Sequence, residues 1–382
     1  MIVAACYCGP ERRMKNTSIS LHWRQPEVAR RFWSAVCLHG HTMYSEECLS
    51  FLPRYLRSVP GISQIARACE RGPEPVDFSR AYWTPPLTAA SALRLEREQI
   101  AKLNLRAIVS LTDHDNIEAG MALQVAADQR HTPVSVEWTV PYRRSIFHLG
   151  IHNLPPEAAR SWMSTMSMYT LSAEEDLLPE ILGELAAIPE VLIVLNHPFW
   201  IEEGVDHSDH RPALDRLLRR CNGWLHAFEL NGTRGWRENQ AAAALAAEWS
   251  RPAVSGGDRH ACEPSACLNL TNARSFSEFA GEIRAGHSSI LFMPHYREPM
   301  ELRILEATRD ILRRYPEYPG REHWTDRIFY RGQDGIARPV AQVWAGRVPW
   351  VLRPAIGVLE FFTHPGMRVA LRYLLSRLEV RP

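Results

Sequence analysis

The sequence predicts an α/β fold assembled from parallel βα units. Two observations carry that expectation. Short apolar runs of strand length alternate with amphipathic stretches of helical period. His, Asp and Glu residues gather just past the apolar runs, and in a parallel barrel the C-terminal strand ends open on one face, where residues distant in sequence meet. Composition agrees. The 382 residues are 46% hydrophobic and 23% charged, which excludes wholesale disorder and leaves enough apolar mass for a large core without disulfides. The formal net charge of +1 excludes a strongly basic nucleic-acid coat protein.

The elements follow in order. Residues 1–32 are polar and lack a period, and form an N-terminal segment. Residues 32–38 are a buried strand that ends in His39-Gly40-His41. Residues 46–88 are irregular and rich in Pro and Arg. A helix over 91–103 places Leu93, Ile100 and Leu103 near one face. Strand 106–112 ends in Asp113-His114-Asp115, and a helix over 117–129 follows. Strand 133–136 ends at Glu137, strand 146–151 carries His148, and residues 174–188 are helical. Strand 191–195 ends in Asn196-His197-Pro198. After a helix over 214–221, strand 225–230 carries Glu229. An Ala-rich helix over 237–249 leads to a short strand that ends in Gly256-Gly257-Asp258-Arg259-His260. Helix 276–285 and strand 288–292 complete the pattern.

Beyond residue 294 the sequence predicts a mainly helical extension, amphipathic over 301–314 and helical again over 369–378. Its simplest role is to pack back on the preceding domain, with a dimer contact or a membrane surface as alternatives. The eight cysteines show no paired zinc-ribbon spacing, so free thiols in a reducing cytoplasm are expected. The start of the chain lacks a basic segment before its apolar residues, which argues against a secretion signal. No apolar run reaches the length of a membrane span.

His39, His41, Glu46, His114, Glu137, His148, His197, Asp258 and His260 form the candidate ligand series, nearly all of them on or just after a predicted strand. One His-x-His is weak evidence for a metal, and the force lies in the series. These segments resemble the PHP (polymerase and histidinol phosphatase) superfamily of metal-dependent phosphoesterases. The matching stretches run in family order: Leu38-His39-Gly40-His41-Thr42 with Ser45-Glu46, Leu111 to Asp115, Val136-Glu137, Phe147 to Gly150, Asn196-His197-Pro198, Gly257 to His260, and Phe279 to Gly286. Together they cover residues 33–293.

The resemblance implies a distorted (β/α)7 barrel with a long insertion, about residues 50–88, after its first strand. It also implies two or three divalent ions, with Mn2+, Zn2+ and Fe2+ all compatible with the donors. One ion would take His39, His41, Glu137 and Asp258. A second would share Glu137 and add His148 and His197, and a third would use Glu46, His114 and His260. Two positions depart from the family pattern: Cys37 and Glu46 stand where Asp is usual, and Cys37 is expected to support the site without ligating.

The implied chemistry is hydrolysis of a phosphate ester by a hydroxide held between metals, with Glu137, His197 and His260 as catalytic residues. Arg234, Asn231, Arg143 and Arg144 are candidate substrate contacts, since an arginine fork clamps phosphate bidentately. Trp138 and Trp200 follow ligands closely, and either packs or stacks on a base. The expected partner is a small phosphomonoester or nucleotide. An exonuclease on short nucleic acid and a non-catalytic metal-binding scaffold are the alternatives.

Overall fold

The computed structural model describes residues 17–50, 77–126 and 130–346, with scattered positions up to 367. Most of the expected insertion and the last part of the extension lie outside the described residues, as do Cys6, Cys8 and Cys69. The strands are β1 (Thr17–Leu21), β2 (Ser34–Gly40), β3 (Glu47–Cys48), β4 (Ala81–Trp83), β5 (Arg106–Val109), β6 (Val134–Tyr142), β7 (Ser145–Leu154), β8 (Leu192–Asn196), β9 (Ala227–Asn231), β10 (Ala253–Arg259), β11 (Cys267–Thr271), β12 (Ser288–Phe292), β13 (Ile328–Arg331) and β14 (Ala337–Pro339). The α-helices are α1 (Ala89–Ala101), α2 (Glu118–Val125), α3 (Ala159–Ser172), α4 (Leu177–Ala186), α5 (His207–Cys221), α6 (Trp236–Glu248), α7 (Phe276–Arg284), α8 (Met300–Leu312) and α9 (Val340–Val343).

The fold is mixed α/β. Among the described residues, a ten-stranded sheet runs β1-β12-β11-β2-β10-β9-β8-β7-β6, and β5 pairs with β2. Strands β2, β8, β9 and β10 are buried along their whole lengths, and β2 and β8 accordingly read as apolar runs and not as alternating ones. Two parallel bridges, Leu111 to Val134 and His114 to Glu137, join the continuation of β5 to β6. The pairings therefore lead from β2 through β5, β6, β7, β8, β9 and β10 back to β2. β2 divides its edge, with Ser34 to Val36 on β11 and Leu38 and Gly40 on β10.

Helices cover the sheet with apolar stripes. Leu182 and Leu185 of α4 and Leu214, Leu217 and Leu218 of α5 are fully buried in the main core with β7 and β8, each worth about 1.5–3 kcal/mol of burial. Side-chain caps fix several starts. Thr88 accepts the Ser91 N–H at 3.2 Å, and Ser275 accepts the Glu278 N–H at 3.2 Å.

The structure adds to the expected pattern at three places and corrects it at the first. Strand 133–136 does not end at Glu137. It runs on as β6 to Tyr142 and turns directly into antiparallel β7, which is also antiparallel to β8. Strict parallel βα repetition therefore breaks here, because the alternation of Val134, Val136, Trp138, Val140 and Tyr142 buries one face throughout. The extension is helical over α8 and α9, and it also contributes strands the sequence did not show. Its β13 pairs with β4 and β14, and with β3 they form a second, four-stranded sheet. Residues 17–21 of the N-terminal segment, whose sequence shows no period, form the edge strand β1 on β12.

The extension packs on the rest of the chain, as expected. Arg303 donates to the Gly232 carbonyl at 2.6 Å, Tyr318 reaches Ser91 at 3.0 Å, and Asp310 accepts the Cys262 N–H at 3.1 Å. No described helix is long and apolar enough to cross a membrane.

Candidate metal centre

Four strand ends and the interiors of two further strands build the site. β2 presents His39 and delivers His41 just past its end. The stretch after β5 carries His114, β8 leads into His197, and β10 carries Asp258 with His260 just beyond. Glu137 and His148 lie inside β6 and β7 and face the same point. His39, His197 and Asp258 have φ of 60°, 23° and 48°, and Asp115 has 48°. Such left-handed backbone is uncommon outside glycine and concentrates at functional sites.

Glu137 is the centre, fully buried. Its Oε2 lies 2.8 Å from His39 Nε2, 3.3 Å from His41 Nε2 and 3.5 Å from His114 Nδ1. Its Oε1 lies 3.0 Å from His197 Nε2 and 3.6 Å from His148 Nδ1. Asn196 donates to that same oxygen at 3.0 Å. Asp258 Oδ1 faces His39, His41 and His260 at 3.7, 3.5 and 3.4 Å. Its Oδ2 accepts from Asn231 at 3.1 Å and Thr233 at 2.9 Å.

The sets His41/Glu47/His114/His260, His39/His41/Asp258, His39/His197/Glu229 and His114/Glu137/His148 each bring their ligand atoms within 4.8 Å of one another. In these sets the expected groupings are redistributed: Asp258 stays with His39 and His41, but Glu137 falls with His114 and His148, and His197 with His39 and Glu229. Glu47, not Glu46, joins His41, His114 and His260, with contacts of 3.6, 3.6 and 3.2 Å. Glu46 turns outward, half exposed, and pairs with Arg331 at 2.6 Å. Adjacent residues of a strand point to opposite faces, so only one of the two glutamates can point inward.

The donors fit a cation. His41 Nδ1 lies 3.2 Å from Ser45 Oγ, which donates to Glu47 at 2.7 Å. Ser45 therefore accepts from Nδ1, and the lone pair falls on Nε2. That atom is buried, makes no hydrogen bond of its own, and faces two carboxylates. A lone pair held against carboxylate oxygens is costly unless a cation lies between them. Mixed imidazole and carboxylate donors suit Zn2+, Mn2+ and Fe2+.

The charges show the same demand. Burial favours neutral His39, but Glu137, Glu229 and Asp258 outweigh it and hold its pKa well above the usual imidazole value. Against its own burial, His260 is raised to about 9 by Glu47 and Asp258. Burial and the neighbouring His260 push His41 down to about 3. Burial also opposes ionisation of Glu137, yet His39, His114 and His148 keep it well below the ordinary carboxylate range. Protons and metal ions compete for these same atoms.

A cavity of about 790 Å³ opens over the cluster, lined by His114, His148, His197, Asp258 and His260 together with Trp200 and Arg234. Arg234 lies over the Trp200 ring at 3.9 Å and reaches Asp258 at 3.5 Å. The other three candidate substrate contacts do not line this cavity. Asn231 is buried, and its amide braces Glu229 and Asp258. Arg143 sits at the tip of the β6–β7 hairpin against Glu175, and Arg144 is exposed. Both line a separate pocket, because the hairpin carries them past the site.

Trp138 is packed away, donating to Met166 and Thr170. Cys37 is buried, 3.0 Å from Ser265 Oγ, and belongs to none of the ligand sets above. Sequence reasoning missed Glu47, Ser45 and Glu229 as site residues. Ser45 and Glu47 lie within six residues of His41 on one short stretch, and Glu229 precedes Asn231 on the same strand.

No protein-family model and no curated protein matches the sequence. Among solved structures, PsfC from Pseudomonas syringae PB-5123 aligns at 14% identity over 69% of this chain and 93% of that one, TM-score 0.37. An amidohydrolase from Chromobacterium violaceum, with sulfate bound and no metal, aligns at 16% over 59% and 87%, TM-score 0.34. A Bifidobacterium adolescentis protein provisionally named a metal-dependent phosphoesterase aligns at 14% over 53% and 92%, TM-score 0.33. At these scores the functional reading rests on the side chains described above.

Proposed function

We propose that this chain is a metal-dependent phosphoesterase of the PHP kind, acting on a small phosphomonoester or nucleotide. The observation that carries the proposal is the position of Glu137, one buried carboxylate whose two oxygens face five imidazoles from four other segments. The distorted seven-stranded barrel draws its support from the circuit of pairings that returns to β2.

Divalent ions held there would supply an ionised water at neutral pH and neutralise charge on a phosphoryl oxygen. The chain's residues do the rest. Glu137 would hold the ions together with His39 and His41 on its Oε2 side and His197 and His148 on its Oε1 side. Arg234, oriented by the Trp200 face and Asp258, meets a phosphoryl oxygen at the cavity wall. His260 faces the cavity against Glu47, where it serves the departing oxygen. Water adds to phosphorus, the ester P–O bond breaks, and the alcohol leaves with a proton. Arg234 is the one Arg or Lys among the described residues that line this cavity. A polyanion needs a basic track, so this favours a monoester over an oligonucleotide.

The test is metal analysis followed by turnover of an aryl phosphate, phosphomonoesters, nucleotides and short oligonucleotides with Mn2+ added. The expected outcome is hydrolysis of at least one monoester, with Glu137→Gln losing roughly a hundredfold or more, a typical loss for a single group central to charge stabilisation. A fully metallated protein that is inert on the whole panel overturns the proposal in favour of a scaffold.

A further inference from the structure

We propose that Glu229 is a positioning residue that aims His39 and His197 together at Glu137. The proposal rests on the metal-centre reading above. Glu229 lies within β9, between the strand that leads to His197 and the strand that carries Asp258. It is buried, and each of its oxygens has fixed partners. Oε1 sits 2.5 Å from His39 Nδ1. Oε2 accepts the backbone N–H of His197 at 2.9 Å and the Asn231 amide at 2.9 Å.

The consequence for each imidazole is geometric. With its Nδ1–H given to Glu229, His39 keeps its lone pair on Nε2, which points at Glu137 Oε2 from 2.8 Å. His197, pinned at its backbone where φ is 23°, turns its own Nε2 to Glu137 Oε1 at 3.0 Å. One carboxylate thus sets two ligands from different strands on the two oxygens of another. Through Asn231 it also reaches Asp258 Oδ2, at 3.1 Å.

The backbone has been cleared to make room. A Cβ at Gly256, on the neighbouring strand, would stand 1.5 Å from Glu229 Oε1. Any larger residue there would expel the carboxylate from its place under His39. Glu229 also lies near enough to His39 and His197 to be counted as a ligand itself. It faces Nδ1 of His39, however, the side away from Glu137 and Asp258, and its oxygens are already engaged by three donors.

Two measurements test the role. Zn2+ affinity of the full chain is read by chelator competition in wild type and in Glu229→Gln, with circular dichroism to establish folding. The folded variant should bind about 10–100-fold more weakly, the usual cost of losing a carboxylate partner of a metal-bound histidine. Affinity within twofold of wild type overturns the role. The second measurement needs no variant. In the zinc-loaded wild-type protein, 15N-histidine correlation spectra should show His39 protonated at Nδ1 and bound through Nε2. Zinc bound through Nδ1, or direct zinc–Glu229 ligation, overturns the proposal even if Glu229→Gln fails to fold. Absence of tight zinc binding in the wild type would instead overturn the metal centre itself.

Discussion

Glu46 and Glu47 are chemically identical neighbours with opposite fates. Glu47 is drawn in by His41, His114 and His260 and is held ionised by their charge despite its burial. Glu46 meets Arg331 in solvent, an arrangement that contributes little. Glu46→Ala should therefore leave metal content and turnover within about twofold, whereas Glu47→Ala should remove the ion held with His114 and His260, seen as a drop in metal per chain by plasma mass spectrometry. Equal loss from both variants would contradict the inward and outward assignment. The imidazoles and Asp258 were legible in the sequence because ligand-type residues crowd the ends of apolar runs. The choice between two adjacent glutamates was not, since the pairing of β3 with β4 decides it and two residues of strand carry no readable period. Glu229 escaped notice for a related reason. It lies inside a buried strand, where a carboxylate reads as a mere interruption of an apolar run.

The second sheet is where the extension touches the site. Among the described residues β3, which carries Glu47, pairs only with β4, and β4 is held in turn by β13 of the extension. Trp83 sits at the join, in register with both Glu47 and Ile328. Phe329→Pro removes a backbone donor from a strand paired on both sides, a position that does not tolerate proline. It should loosen β3 and weaken the ion at Glu47 while leaving the ions at Glu137 bound, giving fractional metal content without loss of the main fold by circular dichroism. Wild-type stoichiometry in the variant would show that β3 stands without the extension. These strands were not legible because 328–339 is polar and broken by Gly332 and Gly335, and its partner lies some 250 residues upstream. The β6–β7 hairpin was obscured by Pro141, which argues against a strand wherever its paired edge is unknown.

For the molecule as a whole, acid is a specific threat. Burial, with Arg284 and Arg251 nearby, pushes His226 down to about 3, and burial with Arg303 pushes His295 down to about 4. Both fold as neutral rings. Nδ1 of His226 accepts the Ile193 N–H at 2.9 Å, a bond that protonation would abolish. Between the folded values and the unfolded value near 6.5 the unfolded chain binds more protons, so this stability is complete above about 6.5 and drains away as pH falls toward 3. Urea midpoints should drop over that window, and His226→Asn, whose Oδ1 can accept the same N–H, should flatten the decline. A midpoint that stays level from pH 7 to pH 4 would remove these histidines from the explanation of acid sensitivity.

His39 and Asp258 are about 220 residues apart in the chain, yet their side chains meet. At ribosomal speeds of roughly 5–20 residues per second, the first histidine leaves the tunnel tens of seconds before its acidic partner. Until then the nascent polypeptide offers only isolated, low-affinity imidazoles. Loading must therefore follow assembly, with ions arriving through the open mouth beside Arg234, so the finished geometry and the supply of cations at that moment decide which element is installed.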